Sequence, residues 1–152
     1  MDELDQALLR MLIEDARQSM RRLSERLHVA PGTVATRLNR LETDGVIQRY
    51  VPLFDAAAVG WEFTIAVGLR ITKGRLLEVQ NRIAEDHRVI AVYDVTGEVD
   101  SLVIARMQDR EDLDDFTKTA LSSDGIERSN THVVLNIVKE DHTSLPSPVK
   151  NS

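Results

Sequence analysis

The sequence predicts an α+β chain of two small domains: an N-terminal three-helix bundle of the winged or helix-turn-helix type, and a C-terminal ferredoxin-like βαββαβ domain. Three observations predict this. Before residue 50 the apolar residues recur at helical spacing. After Trp61 they alternate with period two, in four runs interrupted by two helical stretches. Charge also changes along the chain, with a basic island at residues 19–50 inside an otherwise acidic sequence.

In Leu4, Ala7, Leu8, Met11 and Leu12 the steps of three, one, three and one put an apolar stripe on a first helix. Ser19 is a favourable N-cap for a short second helix that buries Leu23 and Leu27. Pro31 suits the first turn of a third helix, where its missing N–H has no partner to lose. That helix reads from Thr33 to Asp44 and stops at Gly45, a residue suited to the left-handed position beyond a helix end. Val46–Val51 is β-branched and aromatic, which fits a short strand or an extended arm. The first domain is therefore 1–50. Residues 51–60 read as a linker in which Ala56-Ala57-Ala58 can form a helical turn.

The second domain is expected over 61–141. Phe63, Ile65, Val67, Leu69 and Ile71 alternate onto one face of a first strand, and Leu76, Val79, Gln80 and Ile83 mark a helix over 75–86. Val89–Val95 and Ser101–Met107 read as strands, parted by a turn at Thr96–Asp100. Asp109 caps a helix that turns Leu113, Phe116, Ala120 and Leu121 inward, and Thr131–Val138 is expected to close the sheet. This order is the split-βαβ arrangement, a four-stranded antiparallel sheet backed by two helices. Trp61 and Phe63 are expected to fasten the linker to this domain. Residues 142–152, rich in Pro and Ser, read as a flexible tail.

Composition narrows the chemistry. There is no cysteine, so disulfides, thiolate metal sites and cysteine nucleophiles are absent, which suits a cytoplasmic protein. No run approaches the ~20 apolar residues of a membrane span, and the acidic start lacks a signal peptide's apolar region. The four histidines, His28, His87, His132 and His142, share no ligand spacing, so no metal is expected. Glu111-Asp112 and Asp114-Asp115 read as a solvated first helical turn and not as a catalytic dyad. With no phosphate loop or nucleophile elbow, neither an enzyme nor a cofactor is expected.

The net charge of −6 looks wrong for a nucleic-acid partner until it is divided along the chain. Residues 19–50 carry six arginines, Arg21 and Arg22 among them, against three acids. Local positive charge is what phosphate contacts require. On the third helix Thr33, Thr36, Arg37 and Arg40 share one face, while Val34, Leu38 and Leu41 share another. The apolar face can pack on the first two helices and leave the Thr/Arg face for the major groove of double-stranded DNA. Two short helices parted by a tight turn, the second basic, form a helix-turn-helix. The competing reading is a small-molecule-binding, oligomerising module whose N-terminal bundle mediates protein contacts.

These residues resemble the Lrp/AsnC (feast/famine) family of transcription regulators, in the form common among archaeal members. Leu4-Asp5 through Ser19 is similar to the family's opening pattern, and Leu23 through Val34 to its helix-turn-helix run. Arg37-Leu38-Asn39-Arg40-Leu41-Glu42-Thr43-Asp44-Gly45-Val46-Ile47 resembles its most diagnostic stretch. Val95-Thr96-Gly97-Glu98-Val99-Asp100 and Gly125 through Leu135 resemble two motifs of its second domain. The resemblance implies a homodimer built through the C-terminal sheets and assembled further into octamers. It also implies pseudo-palindromic DNA and an amino-acid effector held between dimers. Two departures stand out: Ala30 replaces the usual Ser N-cap of the third helix, and Val99 replaces a frequent aromatic residue.

A free amino acid needs an anionic acceptor for its ammonium and N–H or hydroxyl donors for its carboxylate. Gly97 and Asp100 can offer backbone approach and a carboxylate. Arg128, Ser129, Asn130 and Thr131, placed just before the last strand, can offer donors. Gly97 and Asp100 equally suit a plain hairpin turn, and Ser129-Asn130-Thr131 a loop or interface.

Overall fold

The computed structural model describes residues 1–141; the expected flexible tail at 142–152 lies outside the described residues. The chain divides into two compact units, one containing Met1–Leu53 and the other Phe54–Val138.

The first unit holds three helices, α1 (Glu3–Glu14), α2 (Met20–Leu27) and α3 (Pro31–Thr43). Their stripes meet in one core of Leu8, Met11, Leu23, Val34, Leu38 and Leu41, against which Leu9, Leu12, Leu27, Val29 and Ile47 pack. Each end has a local cause. Ser19 Oγ accepts the Arg22 N–H at 3.2 Å to start α2, and Pro31 opens α3 behind Ala30, whose side chain makes no cap. Gly45, at φ +69°, turns the chain out of α3. The turn between α2 and α3 passes through His28 at φ +54°, the left-handed region that favours glycine.

Val46–Val51 forms no strand. Nothing in the described chain pairs with it. It is anchored at Ile47, whose N–H donates to Leu41 O at 3.0 Å and whose side chain packs on the helical core, and at Tyr50, whose hydroxyl donates to Glu42 Oε1 at 2.8 Å. Ala57–Val59 makes a single 3₁₀ turn, as the alanine run allows.

The second unit runs β1 (Phe63–Ile71), α4 (Leu76–Ala84), β2 (Val89–Asp94), β3 (Ser101–Met107), α5 (Arg110–Lys118) and β4 (Ile126–Val133). The sheet order is β2-β3-β1-β4, and every neighbouring pair is antiparallel. Ile65, Val67, Leu69 and Ile71 of β1 meet Val103, Ala105 and Met107 of β3 with Val79, Ile83, Phe116 and Leu121 from the helical side, as the alternation requires. Asp109 caps α5 by accepting the Asp112 N–H at 2.8 Å.

β4 is displaced from its expected position. It spans Ile126–Val133 instead of Thr131–Val138, so Arg128–Thr131 lie within the strand and not before it. Register against β1 is the cause. Thr72 N–H donates to Gly125 O at 2.9 Å, Ile71 stands opposite Ile126 across a bulge, and the ladder ends with Val134 N–H on Thr64 O at 2.9 Å. Thr131–Val133 of the expected strand thus pair with β1, whereas the rest of the apolar run lies past the end of the ladder, and Leu135 and Val138 are almost fully exposed. Polar residues are accepted in β4 because it is an edge strand with one side open.

The acidic turn of α5 is a second correction. Asp112 and Asp115 are not simply solvated, because they enclose the buried Arg88 together with Asp86. Arg88 Nε and Nη2 donate to the two Asp86 oxygens at 2.9 and 2.7 Å. Its Nη1 donates to Asp112 Oδ1 at 3.0 Å and Asp115 Oδ2 at 2.8 Å, and the guanidinium lies 4.9 Å from the centre of the Phe116 ring.

Candidate nucleic-acid interface and effector site

The α3 face is amphipathic as its spacing requires. Val34, Leu38 and Leu41 are buried, whereas Thr36 and Arg40 are exposed and Thr33 and Arg37 half-buried. Thr36 Oγ donates to Gly32 O at 2.9 Å, which occupies its proton and leaves its oxygen as an acceptor. Arg21 is paired with Glu25 at 2.9 Å, while Arg22, also exposed, meets no carboxylate among the described residues.

Arg37 and Arg40 are not loose. Asp2 and Asp5 form a reciprocal capping box at the start of α1: Asp5 N–H donates to Asp2 Oδ1 and Asp2 N–H to Asp5 Oδ2, each at 2.9 Å. The remaining carboxylate capacity goes to α3. Arg37 Nη1 pairs with Asp2 Oδ2 and, at 3.1 Å, with Asp5 Oδ1, and Arg40 Nη2 sits 2.6 Å from Asp5 Oδ2. Asp5 is wholly buried. The N–H of Asp5, and then Arg37, hold the Asp2 carboxyl down at a pKa of about 2. Asp5 is likewise lowered, first by the Asp2 N–H and then, against the opposing effect of burial, by Arg37 and Arg40. Arg37 is raised in turn by its two carboxylates.

This changes the charge argument. Across Met1–Leu53 eight arginines face eight acids, and four of the six arginines in the basic island pair with carboxylates. Counting by sequence segment missed this because α1, which supplies Asp2, Asp5 and Glu14, folds against the island. Affinity for a polyanion must then come from the placement of donors and not from net charge. A guanidinium has five N–H donors, so Arg37 and Arg40 keep several each after pairing. Asp2 and Asp5 are the residues beside this face that the sequence reading passed over. Their signal was legible: a good N-cap residue followed three positions later by a second carboxylate.

At the other candidate site, Gly97 is exposed at φ +124° in the β2–β3 turn. Asp100 has structural partners: its Oδ2 accepts the Ile71 N–H at 2.8 Å, its Oδ1 lies 3.3 Å from Arg70 Nη1, and its own N–H donates to Leu69 O at 2.8 Å. Arg70 Nη1 also donates to Glu98 O at 3.0 Å. These bonds lay the turn across β1, where Val99 covers Gly68 so closely that a Cβ there would meet Val99 Cγ1 at 2.9 Å. On the far side of β1, Arg128, Ser129, Asn130 and Thr131 stand opposite Arg70, Leu69, Gly68 and Val67. Asp100 and Ser129 therefore flank Leu69 from opposite sides, about two strand spacings, or ~9–10 Å, apart. An open depression of about 730 Å³ beside the turn is lined by Asp94, Val95, Thr96, Val99 and Leu102. The fold thus brings the two groups to one end of a sheet, while the Asp100 carboxylate already serves that sheet.

Comparison with known proteins agrees with both halves. Residues 1–48 match the winged helix-turn-helix DNA-binding domain, and residues 64–144 match the Lrp/AsnC ligand binding domain. An HTH-type transcriptional regulator of Pyrococcus horikoshii is 44% identical over 141 residues, covering 93% of this chain and 95% of its own. A transcriptional regulator of Neisseria meningitidis, solved as an L-Met complex, superposes with a TM-score of 0.89 at 27% identity, over 96% of each chain. A feast or famine regulatory protein from M. tuberculosis, complexed with L-methionine, gives 0.87 at 25% identity, over 95% of this chain and 99% of its own. With a helical first unit that matches the winged helix-turn-helix family and holds arginines on α3, and a βαββαβ unit that matches the ligand binding domain, the chain belongs to the Lrp/AsnC family of regulators.

Proposed function

We propose that this protein is a cytoplasmic, non-enzymatic transcription regulator that binds specific double-stranded DNA through α3. On this reading its DNA binding or assembly responds to a free amino acid. The observation that carries it is the division of α3: Val34, Leu38 and Leu41 are 1%, 5% and 2% exposed, so the helix is anchored from one side, and Thr36, Arg37 and Arg40 remain on the other. An anchored helix that opens on proline and presents threonine in its first turns and arginine from its middle onward fits the geometry that reads a major groove. A homodimer would set two such helices on successive major grooves, and further pairing would give an octamer. No cofactor is needed for either act. No helix among the described residues is long and apolar enough to cross a membrane.

For the effector, the family match over residues 64–144 and the L-methionine complexes of two similar structures support an amino acid. Gly97, Asp100 and Arg128–Thr131 are the residues proposed to surround it. Because Asp100 already accepts two N–H groups from β1, the turn backbone and the β4 side chains are its more available contacts.

Duplexes selected from a random pool test the DNA reading. Binding should weaken steeply as salt rises, and Arg37→Ala should lose about tenfold or more in specific affinity with assembly unchanged. Salt-independent affinity would instead favour the protein-contact reading of the bundle, which the zero net charge of the first unit keeps open. Melting curves with each amino acid in turn, L-methionine included, test the effector. If none shifts the midpoint, the effector reading fails while the DNA reading stands.

A further inference from the structure

We propose that Asp5 is a specificity-determining positioning residue: from inside the helical bundle it holds the guanidinium groups of Arg37 and Arg40 in the orientation that reads DNA. This rests on the DNA reading above and adds a residue that does not itself touch DNA.

An arginine on a helix surface has several rotatable bonds, and ordering it against a base edge costs conformational entropy. Here much of that ordering has already occurred in the free protein. Asp5 is 0% exposed. One of its oxygens receives Arg37 at 3.1 Å and the other receives Arg40 at 2.6 Å. The second oxygen also accepts the Asp2 N–H at 2.9 Å, so the carboxylate is itself pinned by the α1 capping box. Arg37 uses one terminal nitrogen, Nη1, for both carboxylates and Arg40 one, Nη2, leaving the other edge of each planar group for a partner. The two arginines lie three residues apart on α3, and a single buried carboxylate therefore fixes both at once. Preorganised donors discriminate between bases because a wrong base leaves them unpaired, whereas freely moving arginines settle on any phosphate.

The prediction is consequently about selectivity and not about affinity alone. Asp5→Asn keeps the shape and the backbone hydrogen bond but removes the charge that holds the two guanidinium groups. The full-length protein is titrated against a selected duplex and a scrambled duplex of the same composition, with circular dichroism and light scattering to establish fold and assembly. The expected result is that Asp5→Asn loses about tenfold of the wild-type preference, while affinity for the scrambled duplex holds or rises. A purely structural role predicts that both affinities fall together and that their ratio is unchanged; that result overturns the proposal. If Asp5→Asn does not fold, Arg40→Lys decides. It keeps the charge without the planar fork, so it should lose a similar factor of preference, and an unchanged preference overturns the proposal. A wild-type protein with no preference for any duplex removes the DNA reading and this inference together. A selective wild type with an unchanged ratio in Asp5→Asn removes only the inference.

Discussion

Replacing Arg88 by Met should be among the most damaging single changes in the second unit. The side chain is only 6% exposed and makes its ion pairs with Asp86, Asp112 and Asp115, which are 17%, 19% and 59% exposed. Met fills part of the space and keeps contact with Phe116, but three carboxylates are left facing one another without a cation. Removing one partner of a buried ion pair costs about 3–5 kcal/mol. Because the three aspartates retain some access to water, the lower end applies, about 3 kcal/mol. Against a total of roughly 5–15 kcal/mol that is a large share. The chain's single tryptophan, Trp61, lies in this unit with its ring 6.2 Å from that of His87, so urea unfolding followed by its fluorescence reports the correct region. The midpoint should fall by about 3 M for a slope of about 1 kcal/mol/M. The pH dependence carries an independent check. Asp86 is held below its ordinary value of 3.8, chiefly by Arg88. A lowered folded-state pKa stabilises above the unfolded value and is lost as pH falls through the folded one. The deficit of Arg88→Met should therefore be full at neutral pH and shrink as pH drops below about 4. A loss under about 1 kcal/mol at neutral pH, or a deficit constant down to acid, would refute the argument that this cluster is held by its arginine.

Further outcomes follow from individual contacts. Asp100→Ala should lower the melting midpoint with no amino acid present, because the Ile71 N–H loses its acceptor; about 1 kcal/mol is expected for a half-buried group. Asp100→Asn should recover much of it, and a wild-type midpoint in Asp100→Ala would contradict the structural role. His28→Gly should raise stability by about 0.5–1 kcal/mol by relieving the left-handed backbone at the α2–α3 turn. A lower melting midpoint would show that the turn is unstrained. Asp2→Asn keeps a good N-cap and removes only the charge. Since the Asp2 pKa lies at about 2, the wild-type advantage should be present above pH ~4 and disappear toward pH 2. Urea midpoints of the pair that differ equally at both extremes would contradict the Asp2–Arg37 pairing.

Sequence alone determined whatever depends on short-range periodicity and local backbone chemistry. The stripes of α1 and α3, the caps at Ser19 and Asp109, the stop at Gly45 and the alternation of β1 and β3 all follow from which side chains repeat at 3.6 or 2 residues. So does the identity of α3 as the helix with an arginine face. Tertiary structure decided what depends on pairing between distant segments. An apolar run such as Leu135–Val138 reads as a strand by composition, yet a strand exists only where a neighbour supplies its ladder, and β1 ends before that run begins. In the same way the acids at the start of α1 and the arginines of α3 are 32 to 35 residues apart, and Asp112 and Asp115 of α5 reach Arg88 from 24 and 27 residues away. Charge counted along the chain treats such groups as independent. Once folding brings them to hydrogen-bonding distance around the buried Asp5 and the buried Arg88, they interact strongly with one another, and only three-dimensional proximity reveals which charges remain for a partner.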